Sequence, residues 1–108
     1  MQLEKEPKKL PLEFTKNGYF YKQLKRNEFA CVYEQISNDV VIAYEVAVIQ
    51  VANHSYEKFN ISVGDESYPS NNMWGLYGFT FGCYNDWEKA LRLANNKFDE
   101  LLTRKKCN

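Results

Sequence analysis

Residues 29–51 read FACVYEQISNDVVIAYEVAVIQV, and this stretch decides the fold. Val40 to Val51 is the most apolar run in the chain. Its valines and isoleucines favour a pleated strand, because branching at Cβ stiffens χ1. Phe29 to Ile36 is a second strand, and Ser37-Asn38-Asp39 between them is turn chemistry, so the two form an antiparallel hairpin. Toward the N-terminus, Tyr19 to Arg26 (YFYKQLKR) reads as another strand, joined through a tight turn at Arg26-Asn27-Glu28. Asn17-Gly18 marks one more turn before it.

Residues 1–15 read as a tail or an edge segment, and residues 16–108 as one domain. Lys, Glu, Pro7 and Pro11 leave the first segment little to bury. Leu10, Leu12 and Phe14 nevertheless alternate, as an edge strand would. Past the hairpin, residues 52–70 are looser, with a short strand expected at Lys58–Val63. Gly64-Asp65 and Pro69-Ser70-Asn71-Asn72 are loop chemistry. Leu76–Phe81 is the last strand.

A helix follows. Asn85 is a suitable N-cap, Glu88 falls at N3 as in a capping box, and Asp86 and Glu88 suit the positive end of the dipole. Trp87, Ala90, Leu91, Ala94, Phe98, Leu101 and Leu102 form one stripe at helical spacing. Arg104, Lys105 and Lys106 suit its C-terminal end. The expected fold is α+β: an antiparallel meander sheet of four to five strands with one C-terminal helix packed on one face.

With 108 residues the chain fits one domain, and its 44% hydrophobic and 26% charged composition is that of a globular protein. No apolar run approaches the roughly 20 residues that span a bilayer. The start, MQLEKEPKKLPLEF, lacks the apolar core of a secretory leader. Cys31, Cys83 and Cys107 are odd in number and widely spaced, which points to reduced thiols in a cytoplasm. Net charge is zero but unevenly placed: residues 1–26 carry +4, residues 27–86 carry −7, and residues 87–108 carry +3. One reading is solvated faces; the sharper one is an acidic middle that meets a basic partner.

One helix covers one face of a small sheet. In the first strand Tyr19 and Tyr21 oppose Phe20 and Leu24; in the second Phe29, Cys31 and Tyr33 oppose Ala30, Val32 and Ile36; in the third Tyr44, Val46 and Val48 oppose Ala43, Ala47 and Ile49, so neither face is cleanly polar. The second face is therefore expected to be covered by a partner protein or by a second copy of the chain; the competing reading covers it with the chain's own long loops, or leaves scattered tyrosines at the surface. Tyr19 and Tyr21, which share one side of the first strand, are candidate contact residues. In YPSNNMWGLYGFTFGCYNDW (68–87), Tyr77, Phe79 and Phe81 share the core side of the last strand. Tyr68 and Trp74 flank the Pro69 loop, and loop aromatics are common anchors. The competing reading makes Trp74 a plug at the end of the core.

The residues for several chemistries are missing. One histidine, His54, and three scattered cysteines do not make a metal set. Nothing places Cys31 or Cys83 beside His54 with a third orienting group. No glycine-rich loop opens a helix after a strand. No catalytic residue, cofactor or metal is expected, and the chain reads as a non-enzymatic binding protein. The alternative is single-stranded nucleic-acid binding by the strand Tyr19–Arg26, where Tyr19 and Tyr21 interleave with Lys22, Lys25 and Arg26. Zero net charge and the acidic middle oppose it.

Through YKQLKR, VYEQ, YEV and YPSNNMWGLYGFT the chain resembles small proteins of unknown function encoded by bacteriophages and prophages, from Phe14 to Phe98. Tyr68-Pro69-Ser70, Trp74-Gly75 and Gly78-Phe79-Thr80 are its most specific parts. The resemblance implies a small binder in the host cytoplasm and carries over no site residue. Trp74-Gly75-x-x-Gly78 before a helix is also similar to the WGR domain, a nucleic-acid binder. Leu76 stands where that family has arginine, and the likeness covers only the C-terminal third.

Overall fold

The computed structural model describes residues 6–107, with side chains described as far as Arg104. Expectations for residues 1–5 and for the side chains of Lys105, Lys106 and Cys107 lie outside the described residues. The chain runs β1 (Glu13–Lys16), β2 (Tyr19–Arg26), β3 (Ala30–Ser37), β4 (Val40–Val48), β5 (Gln50–Val51), β6 (Glu66–Ser67), β7 (Gly78–Gly82) and α1 (Trp87–Cys107). Five strands form one antiparallel sheet in the order β1-β2-β3-β4-β7, and β5 pairs with β6 apart from it. This is the expected α+β meander with a C-terminal helix on one face.

The turns explain the meander. Asn17 and Gly18, with φ of 54° and 84°, close β1 on β2; Asn38 and Asp39, at 51° and 64°, close β3 on β4. Two left-handed residues in a two-residue loop give the primed turn whose twist matches paired strands. Between β2 and β3 the Asn27 side chain accepts from the amides of Phe29 and Ala30, at 2.7 and 2.8 Å. A register shift between Gln23 and Lys25 leaves Leu24 unpaired, so Lys25 lies opposite Val32. Such a bulge resets the alternation of faces.

Several expected elements differ: the strand expected over Val40–Val51 breaks at Ile49 into β4 and β5, and β5 leaves the main sheet to pair with β6. The segment at Lys58–Val63 is not a strand: Glu57–Phe59 makes one 3-10 turn, and Tyr56 bridges back to Ile61. The left-handed Asn60, at φ 56°, ends that turn. The last strand begins at Gly78 rather than Leu76. The helix is capped by Asp86, whose Oδ1 accepts from the Lys89 amide at 3.0 Å, one residue later than expected. Trp87 thereby takes the first helical position, ahead of the first residue that meets the sheet, and is 55% exposed. Ala90, Ala94, Phe98 and Leu101 form the buried stripe. Asp86→Ala should cost about 1 kcal/mol in a urea melt, and Asn85→Ala close to nothing; the reverse ranking would restore Asn85 as the cap.

The sheet carries a core on each side. Under the helix lie Ala30, Val32, Tyr44, Val46 and Val48, with Phe79 and Phe81 packed against them. On the second face Tyr21, Cys31, Tyr33, Ala47 and Ile49 pack with Leu10, Phe14 and Tyr68. The second face is thus covered largely by the chain itself, which corrects the expectation of a partner as its cover and agrees with the competing reading of the chain's own loops. The cover has two parts, the segment leading into β1 and the excursion between β4 and β7.

The segment before β1 is fastened by backbone and side chains together. The Lys8 amide donates to Asp65 Oδ1 at 2.8 Å, the Leu10 amide to Glu66 Oε1 at 3.0 Å, and Tyr33 OH to the Pro11 carbonyl at 2.5 Å. Of the three alternating residues, Leu10 and Phe14 face the core, while Leu12 is 72% exposed. The basic start and the acidic middle meet within the chain: Lys8 pairs with Asp65 and Lys9 with Glu66, both at 3.8 Å, and Arg26 with Glu66 at 2.5 Å.

Candidate functional site

An open pocket of about 300 Å³ lies on the second face, where the chain's own cover stops short. Tyr19 and Tyr21 from β2, Gln35 from β3, Glu45 from β4 and Trp74 from the excursion line it. Lys16, at the end of β1, stands at its rim. The sheet sets this arrangement. Tyr21 pairs with Gln35, Gln35 with Ala43, and Glu45 with Thr80, so the register aligns these residues across four strands.

Glu45 is the unusual member. It sits on a central strand, is only 8% exposed, and has apolar neighbours on both sides in sequence. Its oxygens accept from two hydroxyls, Tyr68 OH to Oε1 at 2.9 Å and Thr80 Oγ1 to Oε2 at 3.3 Å. Trp74 Nε1 donates to Thr80 Oγ1 at 2.9 Å, so indole, hydroxyl and carboxylate form one chain of hydrogen bonds. Burial raises the Glu45 pKa above the usual carboxylate value, against the lowering effect of Tyr68, Thr80 and Lys16. Among the described residues no cation comes within ion-pair distance of it. The Lys16 ammonium is turned elsewhere, 3.4 Å from Asn71 Oδ1 and 5.9 Å from the Tyr68 ring centroid.

The aromatic walls hold one another. Phe14 stacks on Tyr21 with centroids 4.7 Å apart, Tyr68 meets Tyr33 edge-on at 5.5 Å, and Trp74 tilts against Tyr68 at 5.8 Å. Offset and edge-on pairs of this kind are the favoured aromatic geometries. Burial, followed by the charge of Glu45, raises the Tyr21 and Tyr68 hydroxyl pKa values, so both remain protonated. Tyr21 OH also accepts from Gln35 Nε2 at 2.9 Å.

The four aromatics singled out in the sequence therefore gather at one place, though with unequal exposure. Tyr19 is 36% exposed and Trp74 half-buried, while Tyr21, at 4%, is buried. Tyr68 reaches the site through Glu45. The basic residues of the nucleic-acid alternative do not converge. Lys22 alternates to the helix face, Lys25 Nζ lies 4.5 Å from the Phe98 ring centroid, and Arg26 is bound bidentately by Glu66. Glu45 is the residue that pattern reading missed. Its signal was a lone charge within an apolar run.

Among the described side chains both thiols are buried. Cys31 lies in the second-face core and Cys83 in the helix-side core, and burial pushes the Cys31 pKa up to about 12. Among the described residues no group of three or more His, Cys, Asp or Glu is placed to hold a metal ion. No described helix is long and apolar enough to cross a membrane. Comparison with protein-family models, curated proteins and solved structures finds no match. The likeness to phage-encoded proteins gains no support from them.

Proposed function

We propose that this chain is a small non-enzymatic binding protein that works by protein–protein contact, and that the second-face pocket receives a side chain of the partner. The observation that carries this reading is convergence: aromatic residues from β2 and from the excursion meet a buried carboxylate at one opening. Aromatic anchors around a partly desolvated recess are the usual centre of a protein contact. A recess of about 300 Å³ is at the small end for a free ligand and suits one side chain. A cytoplasmic setting agrees with the two described cysteines, which are free thiols in separate cores.

Capture from nuclease-treated cell lysate tests the reading. Wild type and Tyr84→Ser, which alters an exposed ring outside this pocket, should retain the same protein. A Tyr19→Ala/Trp74→Ala variant should retain at least about tenfold less. A captured protein indifferent to the pocket substitutions would sink the reading, as would cargo lost on nuclease treatment. Sedimentation separates the two kinds of partner. A monomer at micromolar concentration leaves a different protein as the partner, and a dimer that dissociates in the double variant makes it a second copy.

A further inference from the structure

We propose that the side chain the pocket receives is cationic, a guanidinium or alkylammonium head that takes Glu45 as its counter-ion between the faces of Tyr19 and Trp74. This rests on the protein-contact reading above and names the chemistry of the group received. Among the described residues three acidic side chains, Glu45, Asp65 and Glu66, are largely buried, and Glu66 has Arg26 at 2.5 Å. Asp65 has Lys8 at 3.8 Å, whereas Glu45 faces an opening and meets only hydroxyl donors. A carboxylate withdrawn from water without a cation is costly, so a site that keeps one gains from a cation supplied from outside. Two hydroxyl bonds occupy part of the carboxylate's accepting capacity, and a carboxylate has about four lone-pair sites. Tyr21 and Gln35 line the same opening. Tyrosine and tryptophan faces attract a cation through the ring quadrupole and tolerate its apolar stem.

Lys16 supplies a built-in control. Its ammonium stands at the rim, held at 3.4 Å by Asn71 rather than by Glu45, and it repels an incoming cation. Removing it and removing Glu45 must then act in opposite directions. A purely structural role for either residue gives no such opposition.

The probes are N-acetyl-arginine methylamide, N-acetyl-lysine methylamide, the neutral citrulline analogue and acetate, titrated into the full chain while the Trp74 indole N–H resonance is followed. Both cationic probes should bind with dissociation constants on the order of 1 mM. Citrulline should bind at least about tenfold more weakly and acetate not at all. Glu45→Gln keeps an acceptor for Tyr68 and should weaken the cations by about tenfold, while Lys16→Met should tighten them severalfold. Equal affinity for arginine and citrulline overturns the inference, as does cation binding unaffected by Glu45→Gln, preference for acetate, or no response to either cation. The protein-contact reading fails separately, when a captured partner ignores Tyr19 and Trp74. If the partner depends on the pocket while the cationic probes fail, only the cationic identity is lost.

Discussion

Glu66→Ala is expected to destabilise the protein by about 3–5 kcal/mol, the range for removing one partner of a buried ion pair. The Glu66 side chain is 5% exposed and Arg26 24%. Glu66 accepts from Arg26 at 2.5 and 2.8 Å and from the Leu10 amide at 3.0 Å. Lys9 stands 3.8 Å away. Its loss strands Arg26 and releases the segment that covers the second-face core. The Arg26 bonds, first among the causes, draw the Glu66 carboxyl from the ordinary 4.5 to about 2. A depressed folded-state pKa gives stabilisation that is full above pH 4.5 and lost as pH falls toward 2, about 3 kcal/mol across that window. Urea melts of wild type and Glu66→Gln from pH 2 to 7 should therefore converge at the acid end. Glu45 has the opposite sign. Its raised folded-state pKa means that ionisation costs stability, so the advantage of Glu45→Gln should grow as pH rises past the usual carboxylate range. Parallel curves for Glu66→Gln and wild type across the whole range would show that the bridge contributes nothing.

That linkage also explains where sequence reading stopped. Strands β2 and β3, both primed turns and the Ala90–Leu101 stripe were legible because each depends on residues close in sequence: side-chain alternation, Asn-Gly and Asn-Asp dipeptides, a helical period. The cover of the second face depends on residues far apart. Glu66 lies 40 residues from Arg26 and 56 from Leu10. No local pattern announces such pairs. Lys8, Lys9 and the prolines looked like a solvated tail because charge was taken as a sign of water. Here the charges fasten a short apolar insert, Leu10 and Phe14, over the sheet. The premise that a single helix leaves one face bare overlooked how little chain is needed to cover five short strands. The candidate site was half legible. Its aromatics stood out by composition. Glu45 was hidden inside a run whose apolar average outweighed one charge, and Gln35 and Lys16 are ordinary residues until the register aligns them.

Gly78→Ala is expected to disrupt the pocket more than any other single added methyl group. A Cβ at Gly78 would lie 2.3 Å from two atoms of the Trp74 ring and 2.7 Å from a third. The backbone has no room to yield, since Gly78 pairs with Ala47 across β4 and its carbonyl accepts from the Gly75 amide at 2.7 Å. The indole must move instead, giving up its bond to Thr80 and its contact with Tyr68. Overpacking of this kind costs about 1–3 kcal/mol, and the displaced ring should lower affinity for any occupant of the pocket about tenfold. The decisive measurement is a double-mutant cycle. In a Trp74→Ala background the new methyl group meets open space, and replacing a strand glycine then becomes neutral or stabilising by about 0.4–1 kcal/mol. Gly78→Ala should thus change sign between the two backgrounds, with a coupling of about 1–3 kcal/mol. Additive effects would mean that the ring does not rest on Gly78, and the pocket would lose the wall on which its shape depends.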